Sequence, residues 1–164
     1  MAAPPEICIS GAFRIRADGT WLHDGRAIAR AELVRLFASV LRREASGRYF
    51  LVTPAEKVPV TVDDAPFVAV AMEAAGEGAG SEIRLDTNIG DWVILGAGHP
   101  LILRGTADSP RPYVALGDGL EALVARSVYY ELAARAQPGP SGEPGVWSGG
   151  VFFPLAPGRE ETLS

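Results

Sequence analysis

The stretch Gly47-Arg48-Tyr49-Phe50-Leu51-Val52-Thr53-Pro54 has a gapless counterpart in Gly150-Val151-Phe152-Phe153-Pro154-Leu155-Ala156-Pro157. Both read glycine, variable, aromatic, Phe, variable, aliphatic, small, proline. A second match lies upstream of each: Trp21-x-x-x-Gly25-x-x-Ile28 against Tyr113-x-x-x-Gly117-x-x-Leu120, an aromatic, a turn glycine and an aliphatic anchor. The offset grows between the two matches, and the Pro/Gly segment at 137–145 absorbs the surplus, as loops absorb insertions. The pattern predicts an α+β protein of two related small lobes formed by internal duplication, each a helix packed on an antiparallel sheet. The expected domains are 1–65 and 66–164. Neither lobe alone would bury much apolar surface, so the lobes should pack together and leave a crevice of the kind where ligands bind.

Working outward, Phe13 to Arg16 alternates apolar with charged residues, Asp18-Gly19 supplies a turn, and Trp21 to His23 resumes the extended pattern, which predicts a hairpin. Leu33, Phe37, Val40 and Leu41 recur at helical spacing and predict a helix from Arg30 to Arg43, with Gly47 as its stop. Tyr49–Val52 and Val58–Val62 read as strands. Phe67–Met72 and Ile83–Leu85 flank a glycine-rich hairpin tip, and Trp92–Leu95 and Leu101–Leu103 continue the meander. After the strand Tyr113–Leu116, Asp118 with Glu121 has capping-box spacing and predicts a helix from about Leu120, bent near Arg126-Ser127 and ending before the Pro/Gly segment. Val151–Phe153 is the last predicted strand.

Composition narrows the function classes. The net charge of −5 and the lack of any Lys/Arg cluster longer than Arg42-Arg43 argue against nucleic acid as a partner. No apolar run approaches the ~20 residues a membrane span needs, and no secretory signal opens the chain, so a soluble, cytoplasmic protein is expected. Cys8 is the single cysteine, which precludes an internal disulfide; between Ile7 and Ile9 it reads as a buried thiol on a strand.

Few residues are arranged for chemistry. Gly117-Asp118-Gly119 with Ala122 imitates a dinucleotide fingerprint but lacks the following parallel strand and acid, and so reads as a capped turn. Ser148 lacks the preceding glycine of a nucleophile elbow and reads as a turn hydroxyl. His23 and His99 have no ligand partner at metal-site spacing, so neither a metal nor another cofactor is expected. Charge crowds instead into Thr53-Pro54-Ala55-Glu56-Lys57 and Asp63-Asp64, at the proposed junction of the lobes. There the expected ligand-binding set is Thr53, Glu56, Lys57, Asp64 and Arg111, with Trp92 and Trp147 as apolar walls and Glu56 pairing with Lys57. A structural salt-bridge network would account for the same charges.

The motifs Trp21-Leu22-His23-Asp24-Gly25, Leu33-Val34-Arg35-Leu36-Phe37, Leu51 to Lys57, Asp64-Ala65-Pro66-Phe67, His99-Pro100-Leu101, Arg111-Pro112-Tyr113 and Trp147-Ser148-Gly149-Gly150 resemble, in order and over nearly the whole chain, the bacterial family of unknown function DUF1285. The resemblance implies a duplicated two-domain α+β core with a pleckstrin-homology-like carboxy-terminal part, a ligand site between the domains, and a signalling role, with no established activity. Ala27, where proline is commoner in the family, and Ser127, where Arg-Pro is expected, depart from its pattern. The leading expectation is a non-catalytic sensing or adaptor protein for a small polar ligand or a partner protein. Its rival is a hydrolase or transferase with His23 or His99 as general base and Asp91 or Glu56 as orienter. A third reading is a module that forms a homodimer through an exposed strand edge.

Overall fold

The alternation in Phe13–Ile15 (β1) and Trp21–His23 (β2) buries Phe13, Ile15 and Trp21 on one face, and the two strands pair antiparallel across the Asp18-Gly19 turn as predicted. The backbone N–H of Thr20 donates to Asp18 and holds its carboxyl below the usual carboxylate range. The computed structural model describes residues 11–106 and 108–155; Cys8 and the Ala156-Pro157 end of the second repeat match lie outside them. The chain divides into two compact units, Met1–Pro66 and Phe67–Ser164.

In the first unit, β2 pairs with Arg26–Ala27 (β3), then comes a helix, Ala31–Ser39 (α1), then Leu41–Arg43 (β4), Tyr49–Val52 (β5) and Lys57–Val62 (β6). The sheet order is β3-β2-β1-β6-β5-β4: two antiparallel meanders joined by a parallel pair, β1 with β6. The sheet is therefore mixed rather than purely antiparallel. α1 is shorter than its apolar spacing predicts. The Ser39 hydroxyl turns back to the Leu36 carbonyl at 2.6 Å, and Leu41 leaves the helix to pair with Leu51, where both side chains are fully buried. α1 is anchored by Phe37, whose ring lies 5.1 Å from Phe13 edge to face and 6.4 Å from Trp21.

The second unit begins with a long hairpin, Phe67–Ala75 (β7) and Glu82–Thr87 (β8), whose tip is the predicted Gly76–Gly80 stretch. Trp92–Ile94 (β9) completes that meander. Leu101–Gly105 (β10), Pro110–Gly117 (β11) and Leu120–Val124 (β12) form another. β9 and β10 are not neighbours, because β12 pairs parallel with β7 and places them at opposite ends. Counted along the chain, both six-stranded sheets read third, second, first, sixth, fifth, fourth, with a parallel pair at the centre.

This repeated topology corrects the register of the sequence repeat. Trp21 lies on the second strand of its sheet and Tyr113 on the fifth strand of the other. The 47–54 segment holds the fifth strand of the first sheet, whereas the described part of its counterpart, 150–155, holds the last strand of a separate three-stranded sheet of Gln137–Pro138 (β13), Pro144–Ser148 (β14) and Val151–Pro154 (β15), built partly from the Pro/Gly segment expected to be loop. The helix predicted from Leu120 is also corrected. Gly117, Asp118 and Gly119 have φ of 106°, 57° and 79°, a left-handed run that turns β11 into β12 and leaves Asp118 in no position to cap a helix. The helix α2 starts later, at Arg126–Ala134, and buries Val128 and Leu132.

The small sheet is fixed to β8 and the end of β9 through a serine pair. Ser148, fully buried, accepts from the Ile83 N–H at 2.8 Å and donates to the Leu95 carbonyl at 2.7 Å, so it is an internal bridge rather than a turn hydroxyl. Ser81 donates to the Trp147 carbonyl at 2.8 Å. Gly149 closes the seam: a β-carbon there would stand 2.9 Å from the Leu95 carbonyl oxygen, and its φ is 59°.

Two stability outcomes follow from these packings. Phe37→Ala removes the aromatic that α1 inserts among Phe13 and Trp21 and is expected to cost about 3–5 kcal/mol in urea unfolding of the full chain. Ser148→Ala strands a buried N–H and a buried carbonyl, for an expected loss of about 1–3 kcal/mol with faster hydrogen exchange at Ile83. Unchanged exchange at Ile83 would show that the seam is held by other contacts.

Candidate functional site

In the first unit, the charged stretch after β5 is the turn of the β5–β6 hairpin. Thr53 Oγ1 accepts from the Glu56 N–H at 3.0 Å and the Ala55 N–H at 3.3 Å, and the Thr53 N–H donates to the Glu56 carbonyl at 2.8 Å. Turn formation therefore uses Thr53 fully. Lys57 does not pair with Glu56: its ammonium forms an ion pair with Glu44 and lies 4.5 Å from the centre of the Phe50 ring, while Glu56 makes no ion pair among the described residues. The register explains the choice, since Lys57 lies opposite Val52 on β5 and faces the neighbouring strands rather than its own turn. Asp64 follows β6 half-buried, beside Asp63, which receives Arg14 in a two-pronged pair at 2.9 Å.

In the second unit the predicted walls stand on different strands. Trp92, on β9, is 53% exposed and carries the Arg84 guanidinium 4.7 Å from its ring centre, so it forms no buried wall. Trp147, on β14, packs edge to face on Phe152 at 5.3 Å. Arg111, on β11, donates through Nε to the Tyr113 hydroxyl at 3.1 Å.

Within each unit, the predicted pairs of His23 with Glu56 and of His99 with Asp91 are not formed among the described residues. His23 stacks on Phe13 at 4.6 Å, has its neighbour Asp24 at 3.7 Å, and makes no ion pair with Glu56 of its own unit. His99 sets Nδ1 2.9 Å from the Ala115 carbonyl and makes no ion pair with Asp91 in its own unit. Among the described residues no three His, Cys, Asp or Glu side chains gather to hold a metal, and no helix is long and apolar enough to cross a membrane.

What the second unit does form is a cavity of about 300 Å³ between the turn leading into β11, the end of β12 and the start of α2. Asp108, Ser109, Pro110, Arg111 and Pro112 line one side, and Leu123, Val124, Arg126, Tyr129 and Tyr130 the other. Of the predicted set, only Arg111 belongs to it. Antiparallel register sets Tyr113 opposite Leu123, so Arg111, two residues earlier, is level with Ala125, next to the first helical residue Arg126. Arg126 makes no side-chain hydrogen bond or ion pair with a described residue. Tyr129 donates its hydroxyl to the Leu155 carbonyl, and burial raises its pKa above the ordinary phenol value. Tyr130 is 61% exposed at the rim. The neighbouring Arg104, opposite Arg111 on β10, is engaged elsewhere by a bidentate pair with Glu121 at 2.8 Å.

Arg126, Tyr129 and Tyr130 escaped the sequence reading because they fell inside a helix begun too early. Their i, i+3 and i+4 spacing was the available signal, since on a helix it places all three on one side.

Comparison with known proteins was informative for family alone. Residues 3–65 match the model described as "Domain of unknown function (DUF1285), N-terminal domain", and residues 66–155 that described as "Protein of unknown function (DUF1285), C-terminal domain". Among solved structures, a DUF1285 family protein from Silicibacter pomeroyi DSS-3 is 43% identical with a TM-score of 0.83, over 92% of this chain and 82% of that one. Another, from Shewanella baltica OS155, is 33% identical with a TM-score of 0.60, over 76% of this chain and 92% of that one. No curated protein matched. With both halves matched in order and a solved relative aligned over 92% of this chain, the chain belongs to the DUF1285 family.

Proposed function

We propose that this protein is a non-catalytic sensing or adaptor protein that binds a small anionic ligand in the second unit's cavity. The observation that carries the reading is that two arginines, Arg111 and Arg126, line one concave site of about 300 Å³, a volume at the lower end of the range for small-ligand pockets. Arginine forks match carboxylate and phosphate oxygens, and Pro110, Pro112, Leu123 and Val124 supply the apolar part of the lining. Asp108 adds one opposing charge at the exposed turn, which suits a ligand with hydroxyl or amine donors as well as an anionic group. A binding rather than catalytic role is supported by the engagement of His23 by Phe13 and of His99 by the Ala115 carbonyl, away from Glu56 and Asp91. A signalling role would then consist in reporting occupancy of this cavity.

The test is thermal unfolding of the full chain against a panel of small carboxylates and phosphates. At a hundredfold excess over Kd a bound ligand adds about 2.7 kcal/mol, a rise of several degrees for a chain of this size. Arg111→Ala should abolish the rise. Lys57→Ala, which breaks the exposed Glu44 pair in the first unit, should change the starting Tm little and keep the rise. No stabilising compound, or a rise indifferent to Arg111→Ala, overturns the reading.

A further inference from the structure

Resting on that reading of the cavity, we infer that its ligand is a mononucleotide, a nucleoside carrying a single terminal phosphate. Three features of the lining combine to select this class. The first is the arginine pair: Arg126 has no partner among the described residues, and Arg111 stands beside it across the antiparallel register. Two forked cations at one site suit a dianion with several oxygens better than a single carboxylate.

The second feature is aromatic. Tyr129 has committed its hydroxyl to the Leu155 carbonyl and so offers the cavity its ring alone, while Tyr130 leaves a large ring uncovered at the rim. Exposed rings beside cations form the platforms on which bases stack, and every base has a face to offer them. Spacing joins these two features. Arg126 and Tyr130 are four residues apart on α2, so their β-carbons lie about 5–6 Å from each other. A phosphate on the one leaves its base within reach of the other, with the sugar between.

The third feature is the turn opposite. Asp108 and Ser109, just before β11, bring an acceptor and a hydroxyl to the side of the cavity that faces the helix. Vicinal sugar hydroxyls, which both donate and accept, complement such a pair. A simple phosphate or dicarboxylate would leave both the rings and this turn unused.

Isothermal titration of the full chain with AMP, GMP, CMP and UMP, alongside ribose 5-phosphate, adenosine, inorganic phosphate and citrate, tests the inference. At least one nucleotide should bind tenfold or more tightly than ribose 5-phosphate, the gain expected of one stacked base. Adenosine and inorganic phosphate should bind more weakly than the nucleotide that joins them. Tyr130→Ala, a change at an exposed position, should erase the preference over ribose 5-phosphate and leave sugar-phosphate binding in place, whereas Arg126→Ala should weaken every phosphate ligand. Ribose 5-phosphate binding as tightly as the nucleotides, or a preference that survives Tyr130→Ala, overturns the inference. Binding of citrate without any nucleotide overturns it too and leaves the anionic-ligand reading standing. Failure of all these anions to bind removes both.

Discussion

Each six-stranded sheet is organised by a parallel pairing between its first and last strands in chain order, Phe13–Ile15 against Val60–Val62 and Phe67–Ala69 against Ala122–Val124. Antiparallel meanders need only tight turns, but a parallel pair requires the chain to travel away and return, so it is satisfied only when both meanders of a unit are complete. In the second unit this closure also fixes the cavity. Because β12 must run beside β7, it ends at Val124, the Ala125 N–H continues the ladder to the Ala69 carbonyl, and the next residue starts α2. The arginine and tyrosines of α2 are therefore delivered to the start of β11 by strand pairing, without a loop of their own.

Charge placement follows from the same register. Arg104 and Arg111 lie directly opposite on β10 and β11, an arrangement that repels when both face one side. Glu121 relieves it by taking Arg104 in a bidentate pair, and the Arg104 guanidinium settles 4.7 Å from the Tyr113 ring centre. Exposed ion pairs of this kind contribute little to stability. Their consequence here is directional: Arg104 is drawn toward β12 and Glu121, and Arg111 lies at the strand end that meets α2. Elsewhere Arg14 is held by Asp63, Lys57 by Glu44 and Arg84 by Asp86, in contrast to Arg126 at the cavity.

Much of the strand content was legible in the residues, and the reasons for the misses are specific. Asp18-Gly19 and Gly76–Gly80 mark hairpins because turn chemistry is local. Leu120, Leu123 and Val124 satisfy helical spacing and strand alternation almost equally over five residues, and only the left-handed run at Gly117–Gly119 and the pairing with Phe67–Ala69 decide for the strand. The repeat was sensed but misaligned, since aromatic, glycine and aliphatic residues recur at any hairpin entrance; what repeats is strand order, which leaves no short motif. Arg111 was visible as a candidate because it offers a positive charge, opposite to that of Asp64, to a polar ligand. Arg126 and Tyr130 were not, because their meaning depends on where α2 begins.

That dependence extends to what holds α2 in place. One side of the helix is fixed by burial of Val128 and Leu132, and its cavity side by the Tyr129 hydroxyl on the Leu155 carbonyl, just beyond β15. β15 pairs with β14, and β14 is bound to the large sheet through Ser148 and Ser81. The position of the cavity wall is thus set jointly by the parallel strand pair and by a buried hydroxyl several strands away. An interior is close-packed and its polar bridges are satisfied one to one, so a shift at that seam has no slack in which to disappear. The small third sheet, which has no counterpart among the described residues of the first unit, serves as the buttress that gives the second unit's helix a fixed place and the cavity a fixed shape.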